Sequence, residues 1–345
     1  MTITNVSITG LFGEFDYDLK LCGNLTYVHS PNGYGKSTVM HLITAALKGD
    51  VDYISGTQFE RMDISFTDES KLIVENNNGK LTVQMSKNGL ETILSPSDME
   101  EIMPVCYIGP ERLLIRKCDG HISPALETYA QELYENIASA RDHSALEEIT
   151  DAGCTMSDAE LESRFRDIKA KLEYMSGAGL QPIIPPGMRM PPSRYELSNY
   201  RNDYIIFAKE LSRYLKNNYE IAESVIVFKD IVNSIFINKK VEINPNGKIV
   251  VKLSNGSSLP LCRLSSGEKQ IIIMFYNLLF HTCKNSLVII DEPEISLHVS
   301  WQQRLGSLFE DICRIRNLQM IVATHSPQII HDRWDCAVEL RSDDA

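Results

Sequence analysis

Ser30-Pro31-Asn32-Gly33-Tyr34-Gly35-Lys36-Ser37-Thr38 is the stretch that decides the fold. It stands between a strand-like run around residues 25–28 and a predicted helix over residues 38–47. Glycines let backbone N–H groups turn inward around phosphates, a lysine reaches the β- and γ-phosphates, and a hydroxyl binds Mg²⁺. The helix N-terminus adds a favourable dipole. The stretch therefore predicts a phosphate-binding loop with these contact residues: Asn32, Gly33, Tyr34, Gly35, Lys36, Ser37 and Thr38.

Ser30 departs from the pattern G-x-x-x-x-G-K-[ST], which has glycine at this position. If the position requires a positive φ, serine costs about 1 kcal/mol and weaker binding is expected. A glycine-rich turn that enters a helix by chance is the alternative interpretation. The strand–turn–helix context disfavours it.

Two carboxylates follow the apolar strand-like run at residues 287–290. Asp291 and Glu292 would lie at the carboxyl end of a buried parallel strand, where α/β folds bind ligands. The first acid suits the coordination of Mg²⁺, and the second suits a base that polarises water. A pair of acidic residues after a strand is common. The functional interpretation of this pair therefore depends on the predicted phosphate-binding loop upstream of it.

A serine–glycine turn precedes a helix that is apolar on every side. Its polar residues are Ser265, Ser266, Gly267 and Glu268, and the helix is predicted over residues 266–281. Ser265 and Glu268 also fit an ordinary capping box. Gly267 is a poor helix former in the first turn, which indicates that some group approaches the helix N-terminus closely. A buried helix with a polar N-terminus suits a phosphate contact.

His325 follows the predicted strand at residues 320–323. A neutral histidine at the carboxyl end of a strand can donate a hydrogen bond to a γ-phosphate and hold an attacking water. For an isolated histidine, a satisfied loop residue would be the better interpretation. The neighbouring motifs favour the phosphate role.

The remaining pattern predicts three segments: residues 1–120, 121–240 and 241–345. The first carries an antiparallel meander over residues 61–94, because Asn76–Gly79 and Asn88-Gly89 are hairpin signals. The second contains four helices and a proline-rich loop at 181–192, and two of the helices have a short heptad-like seam. A helical hairpin packed on its own domain and a projecting arm are equally favoured. The third alternates helix and strand, as doubly wound α/β folds do.

Composition narrows the functional classes. The chain has 345 residues and a formal net charge of −12, which disfavours coating duplex DNA by bulk electrostatics. No apolar run approaches the roughly 20 residues of a membrane span, and no secretory signal is visible. The eight cysteines are scattered, so a reducing cytoplasm is expected.

The order of these motifs resembles that of ABC-type ATPases, and among them the SMC/RecF/OLD-like group. Residues 291–298, DEPEISLH, are similar to the segment after the second acid in bacterial AAA-type ATPases, many of them in antiphage defence systems. Residues 107–112, YIGPER, are similar to a short motif of the same defence ATPases. The motifs cover residues 1–120 and 240–345. The insertion at 121–240 lies where SMC-like heads place their coiled coil.

The resemblance implies a fold and a mechanism. The fold is an α/β ABC-type P-loop head with a mixed sheet, an antiparallel β lobe and an abbreviated helical insertion. ATP and Mg²⁺ are the implied ligands, and Lys36, Ser37 and Asp291 bind phosphate and metal. Ser265, Ser266, Gly267 and Glu268 of a second copy close over the γ-phosphate. Glu292 activates water and His325 senses the γ-phosphate, in a homodimer or higher oligomer.

Several functions remain open. The leading hypothesis is an ATPase whose ATP-driven dimerisation controls a separate effector, a nuclease or toxin, in a prokaryotic defence system. The first alternative is a DNA-repair or chromosome-processing ATPase, and nucleic acid stays open as a partner although the charge does not indicate it. A transporter's coupling subunit is a second alternative, against which the DEPEISLH segment argues, and no membrane partner is expected. A non-hydrolysing nucleotide-binding scaffold is the fourth.

Overall fold

The computed structural model describes residues 1–77, 80–116, 122–142, 157–244 and 246–341. The chain forms two compact units, Met1–Arg112 with Ser266–Ala345, and Leu113–Ser265. The predicted domain division at 120/121 and 240/241 stays a prediction, while the observed compact units have their borders at 112/113 and 265/266.

The secondary structure follows the predicted alternation. The first unit begins with β1 (Ile3–Leu11), β2 (Phe15–Lys20), β3 (Leu25–His29), α1 (Lys36–Lys48), α2 (Val51–Gly56), β4 (Arg61–Phe66), β5 (Lys71–Asn77), β6 (Lys80–Lys87), β7 (Leu90–Ile93), α3 (Pro96–Glu100) and β8 (Val105–Ile108). The second unit contains β9 (Leu114–Arg116), β10 (Ile122–Pro124), α4 (Ala125–Asp142), α5 (Asp158–Ser176), α6 (Arg194–Asn199), α7 (Arg201–Ile235), β11 (Lys239–Ile243), β12 (Ile249–Leu253) and β13 (Ser258–Leu259). The chain returns to the first unit with α8 (Ser266–Tyr276), a π-helical turn (Asn277–His281), β14 (Leu287–Asp291), α9 (Val299–Arg316), β15 (Gln319–Ala323), α10 (Pro327–Ile330) and β16 (Ala337–Glu339).

A parallel sheet with strand order β16-β3-β15-β14-β8 positions the predicted site. Every residue of β14 and β15 is buried, as expected for strands covered on both faces. The carboxyl ends of parallel strands meet at one edge of the sheet. The segments that follow β3, β15, β14 and β8 are therefore neighbours, although the chain separates them by up to about 300 residues in sequence numbering.

An antiparallel sheet with order β2-β1-β4-β5-β6-β7 forms the second layer of this unit. The predicted meander is confirmed over β4 to β7. Asn88 and Gly89 both have positive φ, 52° and 78°, and join Lys87 to Leu90 in a two-residue hairpin. The turn at residues 78–79 lies outside the described residues. The α/β fold with parallel and antiparallel sheets is confirmed.

One hydrophobic cluster joins the two sheets to α1. Leu287 and Ile289 of β14 contribute to it, whereas Val288 and Ile290, on the opposite face of the strand, do not. Apolar residues run along all sides of α1, so this helix is buried in the cluster with its N-terminus at the edge of the parallel sheet. The core therefore fixes the place of the predicted phosphate-binding loop.

The second unit is built on a helical hairpin. Along α5, Leu161, Phe165, Ile168 and Met175 of the predicted seam are buried against α7. Ser157 and Glu160 form a capping box at the start of α5. The predicted break between the third and fourth helices is wrong, because α7 is one continuous helix of 35 residues. Its residues 215–220, Leu-Lys-Asn-Asn-Tyr-Glu, hold no glycine or proline that would interrupt it.

The strands at residues 239–259 belong to the same compact unit as the helical hairpin. The amide of Asn233 in α7 donates to the carbonyl of Val241 at 2.9 Å, and its oxygen accepts from the N–H of Val241 at 2.7 Å. This reciprocal pair ties β11 to the end of α7.

Gln319 supplies a first testable prediction. Its buried amide accepts from the N–H of Ile3 at 2.7 Å and donates to the carbonyl of Ile3 at 2.6 Å, which ties β15 to β1. Gln319→Leu removes both of these buried hydrogen bonds, so the free energy of unfolding should fall by about 2–4 kcal/mol. Chemical denaturation measures it, with the exposed Gln303→Leu as matched control. Equal stability of the two variants would contradict this account of the amide.

Candidate functional site

The loop between β3 and α1 has the backbone that its glycines allow. Gly33 and Gly35 have φ of 93° and 69°, in the left-handed region. A Cβ at Gly35 would lie 3.0 Å from the Phe12 ring and 3.2 Å from Leu11, so a side chain there would have to displace these neighbours in addition to adopting a positive φ. Ser30 is not among the residues with positive φ, so the backbone cost considered for serine does not apply.

Lys36 meets His325 and Glu292 at the edge of the parallel sheet. The Lys36 ammonium lies 2.6 Å from Nε2 of His325, and that nitrogen is 3.6 Å from Oε1 of Glu292. Because an ammonium group only donates, the imidazole nitrogen must accept, and this contact requires Nε2 without a proton. Three of the predicted functional side chains, from segments up to 289 residues apart, are thus in one cluster.

Burial and charge act in opposite directions on Lys36. Its side chain is nearly buried, and this desolvation lowers the pKa of the ammonium, while Asp291, Glu292 and Glu294 raise it. A desolvated cation whose closest partner is an imidazole nitrogen is poised to bind an anion. The arrangement is suited to a phosphate oxygen, which accepts stronger, charge-assisted hydrogen bonds.

Asp291 is fully buried at the end of β14. Its Oδ2 accepts a hydrogen bond from the Tyr107 hydroxyl at 3.1 Å, and its Oδ1 is buried without a partner among the described residues. A buried carboxylate oxygen without a donor fits a cation. Ser37, exposed in the first turn of α1, adds a second hard oxygen donor.

These donors fit Mg²⁺ better than a metal held by protein alone. The described parts of the chain contain no group of three or more His, Cys, Asp or Glu residues that would hold an ion. Mg²⁺ usually keeps several waters and binds through one or two protein oxygens together with substrate phosphates. Asp291 and Ser37 are the residues that would hold it.

Arg112, for which the sequence predicts no role, contacts the backbone at the carboxyl end of β14. Its guanidinium donates to the carbonyls of Gly109 at 2.7 Å, Asp291 at 3.2 Å and Glu292 at 2.8 Å. Burial lowers the pKa of Arg112 to about 10, against the opposing effects of Glu294 and Asp291. The residue stays a cation near neutral pH.

Glu294 was quoted in the sequence motif without a role, and it contacts the histidine segment. Its Oε1 accepts from the backbone N–H of His325 at 2.6 Å. The carboxylate thereby fixes the start of the loop after β15. Only the neighbouring order of β14 and β15 in the sheet brings the two residues together, and the sequence alone did not provide that order.

The serine–glycine turn has a different set of neighbours. A Cβ at Gly267 would lie 2.5 Å from the Ser296 carbonyl and 3.6 Å from the Trp301 ring. The close approach predicted at this glycine therefore comes, within one chain, from the segment that follows Glu292. Ser265 and Ser266 are exposed, and Glu268 is buried. Contact between this turn and a nucleotide held by another copy stays a prediction.

Two family models match this chain. One, described as "AAA domain, putative AbiEii toxin, Type IV TA system", matches residues 158–331, and a second, described as "AAA domain", matches residues 7–242. The chain belongs to the AAA-domain ATPase family. The resemblance to the SMC/RecF/OLD-like group is confirmed at this level.

The curated relatives of this AAA-domain protein come from retrons and a phage. It is 29% identical over 188 residues to the Retron Ec83 probable ATPase of Escherichia coli, covering 50% of this chain and 33% of the relative. It is 26% identical over 144 residues to the Retron Vc95 probable ATPase of Vibrio cholerae serotype O1 biovar El Tor, covering 39% and 26%. The matched region thus spans a third or less of these relatives' length.

Solved structures show the same fold at low identity. The Smc head domain with an extended coiled coil, bound to the C-terminal domain of ScpA, from Pyrococcus furiosus has a TM-score of 0.51 at 11% identity, covering 99% of this chain and 94% of that one. The SmcHead bound to the C-winged helix domain of ScpA has a TM-score of 0.50 at 15% identity, covering 96% and 91%. None of the described helices has both the length and the apolar character of a membrane span.

Gly267 provides the second prediction. In Gly267→Ala the new methyl group would collide with the Ser296 carbonyl, so the loop after Glu292 must shift and stability should fall by about 1–3 kcal/mol. Gly56→Ala is the matched control, because a Cβ there meets nothing within 4 Å. Thermal denaturation of both variants measures the difference, and a Gly267→Ala protein as stable as the control would count against the packing described.

Proposed function

We propose that this protein binds and hydrolyses ATP with Mg²⁺, and that ATP-dependent dimerisation controls a separate effector, a nuclease or toxin, in prokaryotic antiphage defence. The convergence of Lys36, His325 and Glu292 beside Asp291 carries the proposal. In the proposed reaction these residues supply a cation, a base and a metal-binding carboxylate from one edge of the sheet. The retron relatives and the AAA-domain family support the defence setting.

The side chains have distinct roles in the proposed reaction. Backbone N–H groups of residues 32–38 and the Lys36 ammonium bind the β- and γ-phosphates. Glu292 takes the proton of the attacking water, and His325 donates to the γ-phosphate and orients that water. Mg²⁺, when bound by Ser37 and Asp291, supplies positive charge to the phosphate oxygens.

A bound phosphate would compete with His325 for the Lys36 ammonium. A phosphate oxygen that takes the ammonium removes the donor from Nε2 of His325. The imidazole is then free to act beside Glu292, which is already within 3.6 Å. Displacement of the Lys36–His325 hydrogen bond thus couples the binding of phosphate to the release of His325 for its role with the attacking water.

The proposed dimer uses the serine–glycine turn in trans. Ser265 and Ser266 are exposed and therefore accessible to a second copy. The SMC-head fold supports this proposal at the level of architecture. ATP would act as the ligand that joins two copies, and hydrolysis would release them. We place the protein in the cytoplasm, where the described cysteines are free thiols.

Lys36 and Glu292 separate binding from hydrolysis. Lys36→Ala should weaken ATP binding by about a hundredfold, because charged hydrogen bonds to phosphate are lost. Glu292→Gln should keep ATP affinity and lower steady-state hydrolysis by about 10²–10⁴-fold, because the base is removed. Calorimetry and phosphate release measure the two effects.

The matched control for the lysine is Lys48→Ala, at the exposed end of the same helix α1, which should leave affinity and turnover unchanged. Full affinity in Lys36→Ala would refute the phosphate-binding loop. An inactive wild type that still binds ATP would support a non-hydrolysing scaffold instead.

Mixing variants tests the composite site. Lys36→Ala and Ser265→Arg should each be inactive alone, and an equal mixture should recover about a quarter of the wild-type rate, because half the dimers then hold one intact site. Lys36→Ala mixed with Asp291→Ala is the control, since no pairing of those chains restores a site. Recovery in both mixtures or in neither would overturn the trans arrangement.

A further inference from the structure

The segment at residues 107–112, YIGPER, is a motif whose role the proposed function leaves open. It begins with the last two residues of β8, Tyr107 and Ile108, and continues beyond the strand, which pairs with β14 on the side opposite β15. We propose that Tyr107 and Arg112 are positioning residues: Tyr107 orients the Asp291 carboxylate toward the metal, and Arg112 fixes the backbone that carries Asp291 and Glu292. This inference rests on the proposed function.

Tyr107 selects one orientation of the carboxylate. Its hydroxyl occupies Oδ2 of Asp291, which leaves Oδ1 buried and unpartnered. A carboxylate rotates readily about its terminal torsion, so a single directed donor decides which oxygen stays available. Partners that orient ligand side chains in this way tune metal affinity.

The Tyr107 ring is held on two sides. The His41 ring lies against it, with ring centroids 4.2 Å apart and planes 42° apart. A Cβ at Gly109 would approach the same ring to 2.9 Å, so the glycine leaves space for it. The hydroxyl therefore has little freedom to leave Asp291.

Arg112 gathers three carbonyl groups at the point where β14 ends. Its Nη1 donates to Gly109 and Asp291, and its Nη2 donates to Glu292. Glu292 has φ of 47°, an unfavourable backbone conformation for a residue with a side chain, which the surroundings must maintain. The planar guanidinium of Arg112 maintains this conformation through several donors in a fixed arrangement. The single ammonium group of a lysine cannot reproduce that arrangement.

The test for Tyr107 measures metal binding directly. Mn²⁺ is titrated by electron paramagnetic resonance into protein with the non-hydrolysable analogue AMP-PNP. Tyr107→Phe should weaken Mn²⁺ binding by about tenfold and leave AMP-PNP binding in EDTA unchanged. Tyr53→Phe is the matched control, because the centroid of the Tyr53 ring lies 5.5 Å from that of the same His41 ring and its hydroxyl is not the donor to Asp291. Equal Mn²⁺ affinity in Tyr107→Phe and wild type would overturn the role of Tyr107.

The test for Arg112 separates turnover from binding. Arg112→Gln and Arg112→Lys should both lower kcat by at least about tenfold, with KM for ATP within about twofold of wild type, because Glu292 loses its position while the phosphate-binding loop does not. The lysine variant keeps the charge and guards against a folding defect. Arg61→Lys, at a residue paired with Asp63 and Glu75, is the control. Full turnover in Arg112→Lys would overturn the requirement for the fork.

These outcomes are distinguishable from failure of the proposed function. A wild-type protein that binds neither AMP-PNP nor Mn²⁺ with it would refute both the function and the inference. A wild type that binds both, with Lys36→Ala defective and Tyr107→Phe and Arg112→Lys normal, would refute the positioning roles alone.

Discussion

Parallel pairing in the order β3-β15-β14-β8 is the constraint on which the site depends. It sets the ends of four strands side by side, and each strand delivers a different group: Lys36 after β3, His325 after β15, Asp291 in β14 and Arg112 after β8. The central residues of β14 and β15 are apolar and buried, and the functional side chains lie at or just beyond the carboxyl ends of these strands. A one-residue slip in β14 would exchange its two faces and move Asp291 away from Tyr107.

Much of this arrangement could be predicted from the sequence because it is encoded locally. The glycine positions, the apolar runs and the hairpin dipeptides each reflect short-range backbone chemistry, and the meander and the alternation of helix and strand in the last segment appear as expected. The single helix α7 was divided in two because a polar stretch at its centre interrupts the apolar pattern. That stretch contains Leu215, Lys216 and Glu220, which favour a helix, and neither glycine nor proline, so the helix continues through it.

Other features depend on which strands are neighbours, and periodicity does not reveal that. Tyr107 and Asp291 are 184 residues apart, and Arg112 and Glu292 are 180 apart. Gly267 illustrates the same limit: the glycine signalled a close approach, but the group that approaches is a carbonyl from the loop after β14. A residue type indicates that a constraint exists, whereas the topology identifies the partner.

The charges at this edge explain why both cations are needed. Asp291, Glu292 and Glu294 lie near Lys36 and Arg112, so three carboxylates face two cations before any phosphate enters. Both Nη atoms of Arg112 donate to backbone carbonyls and hold the side chain in place, whereas Lys36 donates to an imidazole nitrogen and can exchange it for an anion. One cation is therefore structural and the other available. Because a triphosphate adds more negative charge than Lys36 offsets, the proposed site requires a divalent cation at Asp291, where an unpartnered oxygen already lies.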